Sequence, residues 1–182
     1  MEGLFAFAQD LGSAFGWVLA LLCYVGGAST MLGGFYAMVT RAEQQNGFLT
    51  RGFVPEMMIV TGAVFLSFPE VLNVGSRTMG GSMTASFGGT ATPVQITASQ
   101  FTASATQGPA AILAEIFAVF KYYFAAYGAL VVYFAFMRQL GRAKGTNHSS
   151  TGLNVVMAIA GFGIMNADQL GPAFLRELGL TS

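Results

Sequence analysis

Residues 23–41 read CYVGGASTMLGGFYAMVTR, residues 42–52 AEQQNGFLTRG, and residues 53–75 FVPEMMIVTGAVFLSFPEVLNVG. A Gly-rich apolar run, a short polar turn between Arg41 and Arg51, and a second apolar run spell a helical hairpin. A weaker copy recurs later. The first run ends YAMVTR (36–41) and the second YFAFMR (133–138), so tyrosine and arginine keep the same spacing. Both turns lead through a glycine, Gly52 or Gly152, into an apolar segment that runs out at an acid and a glycine: Glu70 and Gly75, then Asp168 and Gly171. An internal repeat of this kind predicts two related units packed side by side.

Composition sets the solvent for those hairpins. The chain has 182 residues, 54% hydrophobic and 9% charged, against roughly 25% charged in soluble domains. The expectation is an all-α integral membrane protein with four transmembrane helices arranged as two repeated hairpins around a Ser/Thr/Gly-rich middle segment. Eight basic and eight acidic side chains cancel, and no basic stripe interleaved with aromatics points to sequence-specific nucleic-acid binding. Cys23 has no second cysteine to pair with, which excludes an intrachain disulfide and a CxxC metal site. The opening MEGLFAFAQD is acidic where a secretory signal carries Lys or Arg, so no cleavage is expected.

In chain order, residues 1–16 place Leu4, Phe7, Ala8, Leu11 and Phe15 at helical spacing, an amphipathic interfacial helix. Residues 17–75 form the first transmembrane hairpin. Ala14 to Thr40 carries no charge and, at about 1.5 Å per residue, crosses a hydrocarbon core of roughly 30 Å. Asn46-Gly47 punctuates the reversal. Pro55 then sits in the first turn of the next span, where its missing amide matters least. Residues 76–108 change to Ser, Thr, Gly, Ala and Gln, a polar periplasmic segment that buries little on its own. Residues 109–171 form the second hairpin: a long aromatic-rich run from Pro109 to Met137, the turn RQLGRAKGTNHSSTG, and a last span from Leu153 to about Ala167. Residues 172–182 read as an interfacial tail beginning after Pro172.

Arg41, Arg51, Arg138, Arg142 and Lys144 lie in the two turns, leaving Arg77, Lys121 and Arg176 elsewhere. The positive-inside rule therefore places both turns in the cytoplasm and both termini in the periplasm of a bacterial inner membrane.

The stretches GWVLALLCYVGGASTMLGGFYAMVTR, FVPEMMIVTGAVFLSFPEVLNVG and GALVVYFAFMRQLGRAKGTNHSSTGLNVVMAIAGFGIMN resemble the DotE/IcmC and TraQ family. Its members are small polytopic inner-membrane components of type IVB (Dot/Icm and IncI-type) secretion and conjugation systems. The resemblance covers about residues 15–170 and is one of layout, hairpin repeat and Gly-rich spans. Residues 75–108 have no matching counterpart. It implies a non-enzymatic subunit of an apparatus that moves DNA–protein complexes or effector proteins, with copies of itself, other transfer subunits and membrane lipids as partners. A helix–basic turn–helix unit is also similar in layout to type IV pilins, which implies a pilin-like or conduit-forming role and assembly into an extracellular pilus.

Three residue groups are candidates for function. Gly26, Gly27, Gly33, Gly34, Gly62, Gly161 and Gly163 permit close helix approach, within the chain or between copies. Arg41, Arg51, Arg138, Arg142 and Lys144 form a basic rim for lipid phosphate, bound phospholipid, or non-specific contact with transported DNA. Glu56, Glu70, Glu115, Lys121 and Asp168 are ionisable groups in or near spans, each placed either at an interface or in an ion path. The last group supports an alternative, a small ion channel or secondary transporter built on the repeat. His148 stands alone among Asn, Ser and Thr, as a solvated turn residue rather than a metal ligand. No Ser-His-Asp order, HExxH, P-loop or GxGxxG indicates an enzyme, and no cofactor or metal is expected.

Overall fold

In the computed structural model, residues 2–43, 47, 49–81, 84–85 and 109–179 are described. Among them every regular element is helical: α1 (Glu2–Thr40), α2 (Val54–Leu66), α3 (Phe68–Thr78), α4 (Pro109–Val119), α5 (Lys121–Ala143), α6 (Thr151–Met165) and α7 (Ala167–Glu177). Asn46 and most of the polar middle segment, residues 82–83 and 86–108, lie outside the described residues, as does the end of the tail.

The stretch Ala14–Thr40 of α1 and the whole of α5 are long and apolar enough to cross a membrane. The other two runs join them as spans only if each bent pair counts as one, because α2 meets α3 at 79° and α6 meets α7 at 89°. At 13 residues, α2 covers about 20 Å. Of the four spans expected from hydropathy, two are thus shown, and the other two stand as bent pairs.

The bends are built alike. Ser67 has φ −102° and ψ 25°, and Asn166 has φ −103° and ψ 24°. Each side chain donates back one turn to a carbonyl that also accepts from its own backbone N–H: Ser67 Oγ to Ala63 O at 3.0 Å, and Asn166 Nδ2 to Phe162 O at 2.8 Å. At the first bend Pro69 adds a cause, since it has no amide and its ring crowds the carbonyl four residues back. At the second no proline is needed. Pro172 lies inside α7, so the tail helix begins at Ala167 rather than after the proline.

Two further boundaries move. α1 continues through Gly16 without interruption, so no separate interfacial helix ends there. The third run breaks at Phe120, between α4 and α5.

Helix α2 packs along α1 and α6 along α5; the pairs join where α1 and α2 meet α5, while α3 lies on α6 and α4 on α7. The core between the hairpins contains Leu19 and Cys23 from α1, Phe65, Phe68 and Leu72 from α2 and α3, and Ala129, Val132, Tyr133 and Met165 from α5 and α6. The ring centroids of Phe65 and Tyr133 are 4.7 Å apart. Around this core the outer surface stays apolar: Trp17 is 79% exposed and Val39 79%, with Val25, Leu32, Val156 and Ile159 also exposed. Such a continuous apolar exterior suits lipid rather than water. The repeated tyrosines part company here, since Tyr133 is in the core and Tyr36 is exposed.

Candidate functional site at the two basic turns

Each hairpin is closed by glycine at the level where its arms come nearest. A Cβ on Gly62 would lie 2.7 Å from the Gly27 carbonyl oxygen, and one on Gly27 3.0 Å from that of Gly62. In the second hairpin a Cβ on Gly128 would lie 2.5 Å from Gly161 O, and one on Gly161 2.8 Å from Gly128 O. Real side chains cannot occupy those gaps, so backbone meets backbone as in small-residue membrane interfaces. Gly34 faces Pro55 O and Ile59 in the same way. Gly26 and Gly33 meet only the Tyr133 hydroxyl and the end of Met58, and Gly163 faces open space. Within the chain, the packing face differs from the glycine pattern at two positions. Gly163 takes no part within the chain, and Gly128, a lone glycine in an aromatic run, is a principal member that sequence pattern did not single out.

Toward the turns, side-chain bonds join the arms of each hairpin. Arg41 Nη1 donates to Glu56 Oε1 at 2.8 Å. In the second hairpin Asn154 Nδ2 donates at 2.9 Å to Oε1 of Gln139, one residue past Arg138, the repeat's counterpart of Arg41. The amide pair escaped sequence analysis because neither Asn nor Gln stands out in a polar turn. The second turn is finished by Ser150, whose Oγ accepts from Leu153 N at 3.1 Å and caps α6. Gly52 and Gly145 take positive φ, +58° and +77°, the left-handed region in which glycine carries no steric penalty.

The basic residues divide by what holds them. Arg41 is matched by Glu56. Arg138 points Nη1 at Met157 Sδ, 3.5 Å away, with its Nε buried and unpartnered. Arg142 donates to the Thr151 hydroxyl. Arg51 and Lys144, from different turns, line one groove of about 550 Å³, whose apolar wall includes Phe53, Val54 and Met57. Burial at that wall pushes the Lys144 ammonium pKa down, because the charged form loses water. A neighbouring hollow of about 440 Å³ shares Gly145 and is lined by Arg142, Asn147, His148 and Ser149. His148 itself is exposed.

The acids do not gather. Glu56 is at the turn end, whereas Glu70 is exposed on α3. Asp168, in the first turn of α7, accepts from Lys121 at 2.8 Å; the side chains are 11% and 31% exposed. Glu115 lies on α4, its side chain outside the described residues. Beside Asp168 the second bend holds another pair, missed in the sequence: buried Ser76 Oγ donates to Asn166 Oδ1 at 2.7 Å and ties α3 to the other hairpin. No group of three or more His, Cys, Asp or Glu among the described residues could hold a metal ion.

Against family models, curated proteins and solved structures, the chain has no match.

Proposed function

We propose that this chain is a non-enzymatic inner-membrane subunit of a type IVB secretion or conjugative transfer apparatus, with both turns cytoplasmic and both termini periplasmic. The single observation that carries the reading is structural: two glycine-closed hairpins present basic turns at one end and an apolar surface all round. That is the form of a building block. The resemblance in layout to DotE/IcmC and TraQ proteins supplies the system.

Because Gly27, Gly34, Gly62, Gly128 and Gly161 are occupied within the chain, contacts between copies fall to the outward surface of α1 and α6. Pilin-like or conduit-forming assembly belongs to the same proposal, with Arg51, Arg142 and Lys144 as the rim that meets lipid phosphate or passing DNA. In a cell carrying such an apparatus, deleting the gene should abolish transfer, and the intact chain should restore it and co-purify with the transfer ATPase. Undiminished transfer in the deletion strain sinks the proposal.

The Lys121–Asp168 pair favours a second reading, a small ion channel or transporter. The distance of Glu56 from that pair, at the opposite ends of the hairpins, weighs against a single acidic path. Liposome flux lost on Asp168→Asn and Glu70→Gln, with transfer intact, would reverse the order of the two.

A further inference from the structure

We propose that the groove between the two turns is a site for one anionic diacyl phospholipid, its phosphate held between Arg51 and Lys144 and its glycerol and upper acyl carbons lying on Phe53, Val54 and Met57. The inference rests on the membrane placement of the hairpins and not on the transfer apparatus. Charge comes first. Neither Arg51 nor Lys144 has a carboxylate partner among the described residues, and no acid lines the groove. By contrast Arg41, on the same turn as Arg51, is neutralised by Glu56. Two uncompensated cations facing one hollow select an anion, and Lys144, part-buried with its charge disfavoured, gains most from one.

The apolar wall selects which anion. Phe53 is 82% exposed at the entrance to α2, one residue from Gly52, where water would meet its whole ring unless something apolar covers it. Gly52 and Gly145 have open space where a Cβ would stand, so both rims leave room for a headgroup. A nucleic-acid phosphate would satisfy the cations but leave the exposed Phe53 ring uncovered. A lipid at the membrane surface satisfies both halves, and the groove stands at the turn ends of α2 and α5, at the level of headgroups.

The test uses the full chain purified in a neutral detergent and native mass spectrometry, with dioleoyl phosphatidylglycerol as probe and dioleoyl phosphatidylcholine for comparison. Phosphatidylglycerol should bind one per chain in preference to phosphatidylcholine. The double variant R51Q/K144Q should weaken that binding roughly thirtyfold, on the scale of two interfacial cations. Arg77→Gln, at the far end, should leave it unchanged. Arg51 is exposed, so Arg51→Gln alone, with unaltered helix content, gives a folded variant expected to lose about fivefold. Equal binding of the two lipids, an undiminished affinity in both variants, or full displacement by equimolar glycerol phosphate or a short DNA duplex would each overturn the proposal.

Discussion

The two hairpins solve one problem, joining their arms beneath the turn, with different chemistry and at positions the repeat does not align. At the base of each turn a side chain from the first arm reaches one from the second: Arg41 to Glu56 in one, Gln139 to Asn154 in the other. The ion pair is open to solvent, at 43% and 36% exposure. Asn154 is 3% exposed. Desolvation accounts for the difference, because a buried ion pair must recover the loss of water around two charges while an amide pair recovers far less. Further in, the hairpins converge on the same answer, reciprocal glycines whose carbonyl oxygens leave no room for a Cβ.

The comparison breaks most visibly at the glycines. Gly161→Leu should destabilise the second hairpin by roughly 3 kcal/mol, since a Cβ there meets the buried Val132 side chain and the backbone of Gly128 and Val132, which cannot yield. Gly163→Leu, two residues away and facing open space, should leave thermal unfolding in detergent nearly unchanged. Equal effects of the two would remove the packing account. Next in size, Asn154→Ala strands Gln139 and should lower stability by about 1–2 kcal/mol. The smallest effect is expected at the exposed staple: a double-mutant cycle on Arg41 and Glu56 should return a coupling of about 0.2–1 kcal/mol that fades with added salt. A larger coupling there than at Gln139–Asn154 would contradict the burial argument.

The hairpin plan was legible because hydropathy, turn residues and paired glycines all report it locally. Pro55 marks the start of α2 correctly, being in its first turn. What was not legible depends on partners distant in sequence. Gly128 gains its meaning only from Gly161, and Asn166 from Ser76, ninety residues away. Pro172 misleads in the other direction: a proline normally argues for a boundary, yet here α7 runs through it and the boundary falls on Asn166, whose side chain bonds back to Phe162 O at the end of α6. Apolar spacing misled as well, since Leu4, Phe7, Ala8, Leu11 and Phe15 suggested a separate opening helix where α1 runs on unbroken. Among the acids, spacing in sequence said nothing of the division between the turn end and the bends.

The bends have a consequence for the surrounding bilayer. The return arms α2 and α6 have 13 and 15 residues, about 20 and 22 Å, beside outgoing arms that reach across the full roughly 30 Å of hydrocarbon. In the proposed orientation lipids against the return arms meet a shorter apolar wall than lipids against α1, and they must thin or tilt to match it. Thinning has a cost that grows with the perimeter over which it extends. If copies associate as proposed, with α6 in the contact, they would share one thinned strip instead of maintaining two, and the membrane itself would supply a directional attraction between them.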